Sequence, residues 1–151
     1  MNEPFYAVGF TGTRTGMTPA QRATVRRVMQ ARLCVYGTML IGEHGDCIGA
    51  DLDFDLICAD LLIQRWCRPA NLRNLRAHSK AHAISPPMPP MARNRLIVAD
   101  ANEMLACPPG FERLVRKSGT WATIGFAEAA RRPITIVYPD GSEEPHFGGA
   151  Q

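Results

Sequence analysis

The sequence predicts an α/β fold in three layers, a mostly parallel sheet of about five strands with helices on both faces. Short apolar runs alternate with longer segments whose apolar residues recur at helical spacing, the pattern of repeated strand–helix units. Glycine-rich junctions follow three of the runs, and capping residues open the helix after the first. In such sheets ligands sit beyond the carboxyl ends of the strands, so the junctions are where function is sought.

Residues 5–10 form the first apolar run and end in Thr-Gly-Thr, a buried strand meeting a tight loop. Thr18, Pro19 and Gln21 then stand at N-cap, N1 and N3, a capping box with proline in its preferred place. Val25, Val28, Met29 and Leu33 continue at helical spacing, while Arg22, Arg26, Arg27 and Arg32 lie largely on other faces. Residues 38–41 read as a second strand and 42–49 (GEHGDCIG) as a glycine-rich turn. Residues 50–63 read as a helix buried along Leu52, Leu56, Ala59 and Ile63.

A weak third strand falls at 65–69. The polar and then proline-rich segment 70–90 is expected as a long loop of functional or mobile character. Residues 91–101 resume a helix with Met91, Val98 and Ala101 on one side, 103–107 form a strand, and 108–117 form a loop. A helix over 122–130 is followed by Arg131 and Arg132, which suit its C-terminal dipole, and by Pro133, which stops it. Residues 134–138 form the last strand. A single domain over 1–140 and a flexible tail over 141–151 are expected.

Composition bounds the function classes. At 151 residues, with 46% hydrophobic and 21% charged residues, the chain fits one ordinary globular domain. A net charge of +3 with dispersed arginines disfavours duplex binding. There is no membrane span, and Glu3 stands where a secretion signal would want positive charge, so a cytoplasmic protein is expected. Five cysteines without a C-x-x-C pair read as reduced, mostly buried thiols. His78 and His82 are spaced i,i+4 but have no third ligand at a recognisable spacing, so no metal is expected.

Three junctions carry candidate chemistry. In TGTRTG, Gly12 lets backbone approach a ligand, Thr13 offers a hydroxyl, and Arg14 adds a cation near a helix start, although neither familiar glycine fingerprint is matched. The second junction offers Glu43, Gly45, Asp46, Gly49 and Asp51. Asp51-Leu-Asp53-Phe-Asp55 resembles half a calcium loop, but Leu56 and Leu62 stand where glycine and glutamate are required, so most of these carboxylates read as charges on a solvated helix face. Asp51 is kept as a hydrogen-bond acceptor for a ribose or base. Arg93 and Asn94 offer directed hydrogen bonds to a phosphate or sugar. Ser118, Gly119 and Thr120, preceded by Arg116 and Lys117, form an anion site at a helix N-terminus, with Trp121 available to stack or to pack.

In combination these residues resemble the SLOG superfamily of Rossmann-like proteins, which includes the DNA-processing protein A domain, lonely-guy phosphoribohydrolases and molybdenum-cofactor carrier proteins. The elements that carry the resemblance are Gly-Phe-Thr-Gly-Thr-Arg, His44-Gly45-Asp46-Cys47-Ile48-Gly49-Ala50-Asp51, Arg93-Asn94, Ala99-Asp100 before a strand, and Ser118-Gly119-Thr120-Trp121, spread over about 5–139. The resemblance implies a Rossmann-like three-layer sandwich and a nucleotide or nucleotide-derived ligand. Its phosphate would lie at the Gly-Thr turn and its nucleoside portion near the first loop, with no further cofactor required. It also implies a homodimer or higher homo-oligomer.

In the lonely-guy enzymes an arginine and a glutamate in Gly-Thr-x-x-Glu serve cleavage of an N-glycosidic bond. Arg93 matches the arginine, but position 123 is Thr and Glu128 lies about 12 Å along the helix from Thr120 at 1.5 Å per residue. Glu43, Asp46 or Asp51 would have to replace that carboxylate. The sequence therefore favours a binding module, a sensor, carrier or sequestering protein. An N-glycoside hydrolase using Arg93, Asp51 and Glu43 is the alternative, and a DNA-associated protein using Arg22, Arg26, Arg27, Arg73 and Arg76 is a second one.

Overall fold

The computed structural model describes residues 4–114 and 118–148. Its elements in chain order are β1 (Tyr6–Gly12), α1 (Pro19–Tyr36), β2 (Leu40–His44), α2 (Ala50–Asp60), β3 (Gln64–Cys67), β4 (Ala83–Ile84), α3 (Pro90–Asp100), β5 (Glu103–Cys107), α4 (Gly119–Ala129), β6 (Ile134–Val137) and β7 (Glu143–His146). They form one seven-stranded sheet in the order β4-β3-β2-β1-β5-β6-β7. Only the β6–β7 pairing is antiparallel. Strand order reverses at β1, which has β2 on one side and β5 on the other, so a crevice opens at its carboxyl end.

Helices α1 and α2 cover one face, where Val8, Phe10, Val25, Met29, Leu40, Phe54 and Cys58 form a core. Helices α3 and α4 cover the other, where Ile97, Met104, Ala106, Trp121, Ile124 and Ile134 form a second. The start of α1 follows from its sequence: Thr18 accepts from the Gln21 N–H while Gln21 accepts from the Thr18 N–H, and Pro19 fills N1. Gln21 also donates to the carbonyls of Pro108 and Val137, fastening α1 across the end of the sheet. No helix among the described residues is long and apolar enough to cross a membrane.

The sheet exceeds the expected five strands at both edges. Two residues of the 70–90 loop pair with β3 as β4. The stretch 141–151, expected as a flexible tail, contains β7, and its last three residues lie outside the described ones. β2 extends to His44, so the second turn shortens to 45–49.

Helix α2 departs most from expectation. Its buried residues are Ala50, Asp51, Phe54, Asp55, Ile57 and Cys58, and Leu56 is 57% exposed. The carboxylates accompany this rotation: Asp55, expected on a solvated face, has partners inside, and Asp51, the candidate ligand acceptor, is buried on the same side. Asp55 binds His44 Nε2 and Arg65, both at 2.8 Å. Asp51 accepts from the Cys47 N–H. On α3, likewise, Ile97, Val98 and Arg93 are buried while Met91, expected inside, is exposed.

Candidate functional site

A cavity of about 310 Å³ lies at the carboxyl end of β1, and the three glycine-rich junctions converge on it. The first junction supplies Gly12, Thr13 and Arg14, the second Gly45, Cys47 and Asp51, and the fourth-helix junction Ser118, Gly119 and Thr120. Helix α3 adds Arg93 and Asn94 as one wall. Phe10, Pro90, Met91, Ile97, Pro109 and Leu114 make an apolar remainder, so the cavity combines polar and apolar lining.

Backbone contacts hold the first two junctions together. The Thr13 carbonyl accepts from the Ala50 N–H at 2.9 Å, and the Thr13 N–H donates to Cys107 across the crevice. Gly49 has φ +91°, and a side chain there would run into the Arg14 carbonyl, so only glycine lets the loops approach this closely. Gly45 is required for another reason: a Cβ would overlap the Arg93 guanidinium, which donates to the Gly45 carbonyl.

Arg93 is 5% exposed and has no carboxylate partner among the described residues. Its guanidinium is oriented by the carbonyls of Gly45 and Arg68, by Asn94 Oδ1 at 2.6 Å and by Cys47 Sγ at 3.5 Å. These neutral acceptors fix its direction without cancelling its charge. Arg14 at the rim also lacks an ion-pair partner among the described residues.

Asp51 is the only carboxylate lining the cavity among the described residues. Burial pushes its carboxyl above the usual range, and the charge of Arg93 and the N–H groups of Cys47 and Gly45 pull the other way. Burial and the neighbouring Asp51 also push up the Cys47 thiol, which leaves it a poor nucleophile.

The amino end of α4 is open toward the cavity. Ser118 Oγ accepts from the Trp121 N–H at 3.2 Å, but the N–H groups of Gly119 and Thr120 have no acceptor among the described residues. The Thr120 side chain is 4% exposed, lines the cavity, and its hydroxyl has no partner among the described residues. Unsatisfied donors at a helix N-terminus, with a hydroxyl beside them, constitute a seat for an anion. Arg116 and Lys117 lie outside the described residues.

Four predicted site residues do not line the cavity. Glu43 faces a smaller depression with Trp66, Arg68 and Ser85 and is ion-paired to Arg68. Asp46 is 1% exposed and accepts from the Ser79 N–H and the Arg76 guanidinium, so it anchors the 70–90 segment. Gly49 acts through packing, and Trp121 is in the α3–α4 core. Thr123, where the lonely-guy pattern has glutamate, turns its hydroxyl back onto the Gly119 carbonyl. Glu128 is taken up by Arg113. The sequence reading missed Cys47, Phe10 and the apolar lining, for which Met91 and Leu114 carry no signal beyond hydrophobicity.

One buried cluster, His44, Asp55 and Cys67, has metal-ligand composition. Its hydrogen bonds satisfy these groups without an ion. His44 Nδ1 accepts from the Asp46 N–H at 3.0 Å, so in the neutral ring the proton is on Nε2, which donates to Asp55. No lone pair remains at Nε2 for a cation. Burial pushes the Cys67 thiol up as well.

Fold and cavity together define a Rossmann-like protein with an anion-competent crevice at its topological switch point. Among solved structures it resembles the molybdenum cofactor binding protein from Rippkaea orientalis, with 17% identity, 89% of this chain and 77% of that one covered, and a TM-score of 0.66. It also resembles DNA processing protein A from Streptococcus pneumoniae, with 14% identity, 87% and 50% coverage, and a TM-score of 0.63. For the molybdenum cofactor carrier protein from Chlamydomonas reinhardtii the values are 12% identity, 87% and 76% coverage, and a TM-score of 0.61. The chain thus spans half the length of the DNA-processing protein. At these identities the likeness is one of fold, and the fold is the one the SLOG resemblance implies. No family model and no curated protein matches the sequence.

Proposed function

We propose that the cavity binds a nucleotide or nucleotide-derived small molecule, with its phosphate at the amino end of α4 and its nucleoside portion between the first junction and α3. The observation that carries this reading is the open end of α4: the N–H groups of Gly119 and Thr120 and the Thr120 hydroxyl have no partner among the described residues, and neither Arg93 nor Arg14 has a carboxylate partner among them. Similar folds in proteins named for molybdenum cofactor support a small-molecule ligand. Five unpaired thiols fit a cytoplasmic setting. Self-association, which the SLOG resemblance implies, is tested by light scattering for a mass above 16.6 kDa.

Calorimetry with adenosine, guanosine, cytidine and uridine monophosphates and with inorganic phosphate tests the reading. Saturable binding of at least one nucleotide supports it, and no heat from any of them at millimolar concentration removes it. Hydrolysis is the second reading, and one observation favours it: Asp51 brings a carboxyl of raised proton affinity to the cavity. Release of free base, followed by chromatography, decides between binding alone and turnover.

The DNA-associated alternative has four of its five cations in ion pairs, Arg73 being without one among the described residues. Arg22 pairs with Asp53, Arg26 with Asp60, Arg27 with Glu143 and Arg76 with Asp46. Single-stranded DNA is therefore expected to bind weakly even at low salt.

A further inference from the structure

Arg68 follows β3 and lies outside the cavity, yet it touches α3 at both ends. Its carbonyl accepts from Arg93 in the first turn of α3 at 3.2 Å. Its guanidinium reaches Asp100, the last residue of α3, and on the way donates to Glu43 on β2. One residue therefore spans the helix that supplies Pro90, Met91, Arg93, Asn94 and Ile97 to the cavity.

We propose that Arg68 is a positioning residue for the ligand cavity, clamping α3 against the carboxyl ends of β2 and β3, and that the protonation state of Glu43 sets the tightness of that clamp. The inference rests on the ligand-binding reading only for its functional consequence; the clamp itself belongs to the free protein.

The groups around Glu43 are few. Arg68 and Asp100 face it from the end of β3 and from α3. Its neighbour His44 is engaged on the other face with Asp55 and Cys67, and next to them is Arg65. Trp66 stands beside it in register on β3, and Gly9 on β1 brings no charge. Burial pushes Glu43 up to about 7, against the pull of Arg68. Ionised Glu43 attracts the guanidinium, but the cost of burying its charge outweighs that attraction, so the ionised group gains more from release into water and loosens the clamp, while Asp100, 39% exposed at its side chain, is screened by solvent and holds Arg68 weakly. The fork geometry matters too, because Arg68 reaches Glu43 through Nε and Asp100 through Nη2, two nitrogens held apart in one plane, whereas a lysine offers a single nitrogen on a flexible stem.

Amide hydrogen exchange on the full, ligand-free chain from pH 5.5 to 8.5, corrected for intrinsic rates, tests the clamp. Protection of residues 90–100 is expected to fall ~10-fold as pH rises through about 7, while α4 stays level. Glu43→Gln is expected to flatten that step. Arg68→Lys is expected to expose 90–100 at every pH without rescue, and to weaken adenosine monophosphate binding ~10-fold.

A flat or rising wild-type profile, a step that survives in Glu43→Gln, or wild-type protection in Arg68→Lys each overturns the clamp. Equal nucleotide affinity in Arg68→Lys and wild type overturns the positioning role. If the wild-type chain binds no nucleotide, the ligand reading fails, and the exchange profile still decides the clamp.

Discussion

Helices α2 and α4 both begin at the cavity, both are 11 residues long, and their amino ends are finished in opposite ways. α2 carries its own anions. Asp51 and Asp53 stand in its first turn, the Thr13 carbonyl takes the Ala50 N–H, and Asp53 takes the Met17 N–H and pairs with Arg22. α4 has no acid in its first turn, and Ser118 satisfies only the Trp121 N–H. Two helix dipoles point at one cavity, and only the one that lacks an internal anion is left to attract an external one. On the proposed reading, the open end of α4 takes the phosphate and the α2 side a hydrogen-bonding group such as a ribose hydroxyl.

The largest expected effect comes from erasing the difference. Gly119→Asp gives α4 an anion of its own, and the site tolerates it, since a Cβ at Gly119 meets nothing within 4 Å. Nucleotide affinity is expected to fall ~100-fold by calorimetry, while the thermal midpoint holds or rises slightly because an acid suits a helix start.

Thr120→Val sharpens the comparison by removing one hydroxyl from the open end. A loss of ~10-fold in affinity is expected at unchanged thermal stability, the worth of one hydrogen bond to a charged group. Unchanged affinity would remove Thr120 from the phosphate seat.

Asp51→Asn works from the other side, by taking the charge from α2. A pure binding site is expected to hold anions ~3-fold more tightly, because Arg93 is then less compensated. A hydrolase would lose base release in the same variant, so one protein preparation separates the two readings.

Ser118→Ala removes the cap of α4 without touching α2. The cost is about 1 kcal/mol, seen as a drop of a few degrees in thermal midpoint.

A pH scan of stability gives the smallest effect. Both raised carboxyls, Glu43 at about 7 and Asp51, belong to β2 and the start of α2, while the start of α4 titrates nothing in its first turn. A carboxyl whose folded pKa exceeds its unfolded value stabilises fully below the unfolded pKa, and that stability is lost as pH rises through the folded value. The thermal midpoint is thus expected to decline from pH 5 to 8, less so in a Glu43→Gln/Asp51→Asn double variant, and unchanged in slope in Thr120→Val.

Much of the cavity was legible residue by residue. Gly12, Thr13, Arg14, Gly45, Asp51, Arg93, Asn94, Ser118, Gly119 and Thr120 were all expected and all line it. Their legibility has one source: each follows a strand or opens a helix, and capping and turn chemistry are written within a few residues. Glu43 and Asp46 read as equally good candidates, yet their partners, Arg68 and Arg76, stand 25 and 30 residues away and turn them elsewhere. Leu56 and Met91 misled because apolar period alone does not fix a helix's rotation when charged groups also claim the inner face, Asp51 and Asp55 on α2 and Arg93 on α3.

The sequence by itself determined the order of the five inner strands and the four helices and the capping box of α1, because hydrophobic period and capping are local interactions. The tertiary structure alone decided which charges are free. Arg27 meets Glu143 at a separation of 116 residues, and Asp100 meets Arg68 at 32, so the cations of α1 are neutralised while Arg93 is left to neutral acceptors. Charge compensation depends on distances of a few ångströms between segments remote in the chain, and only packing sets those distances.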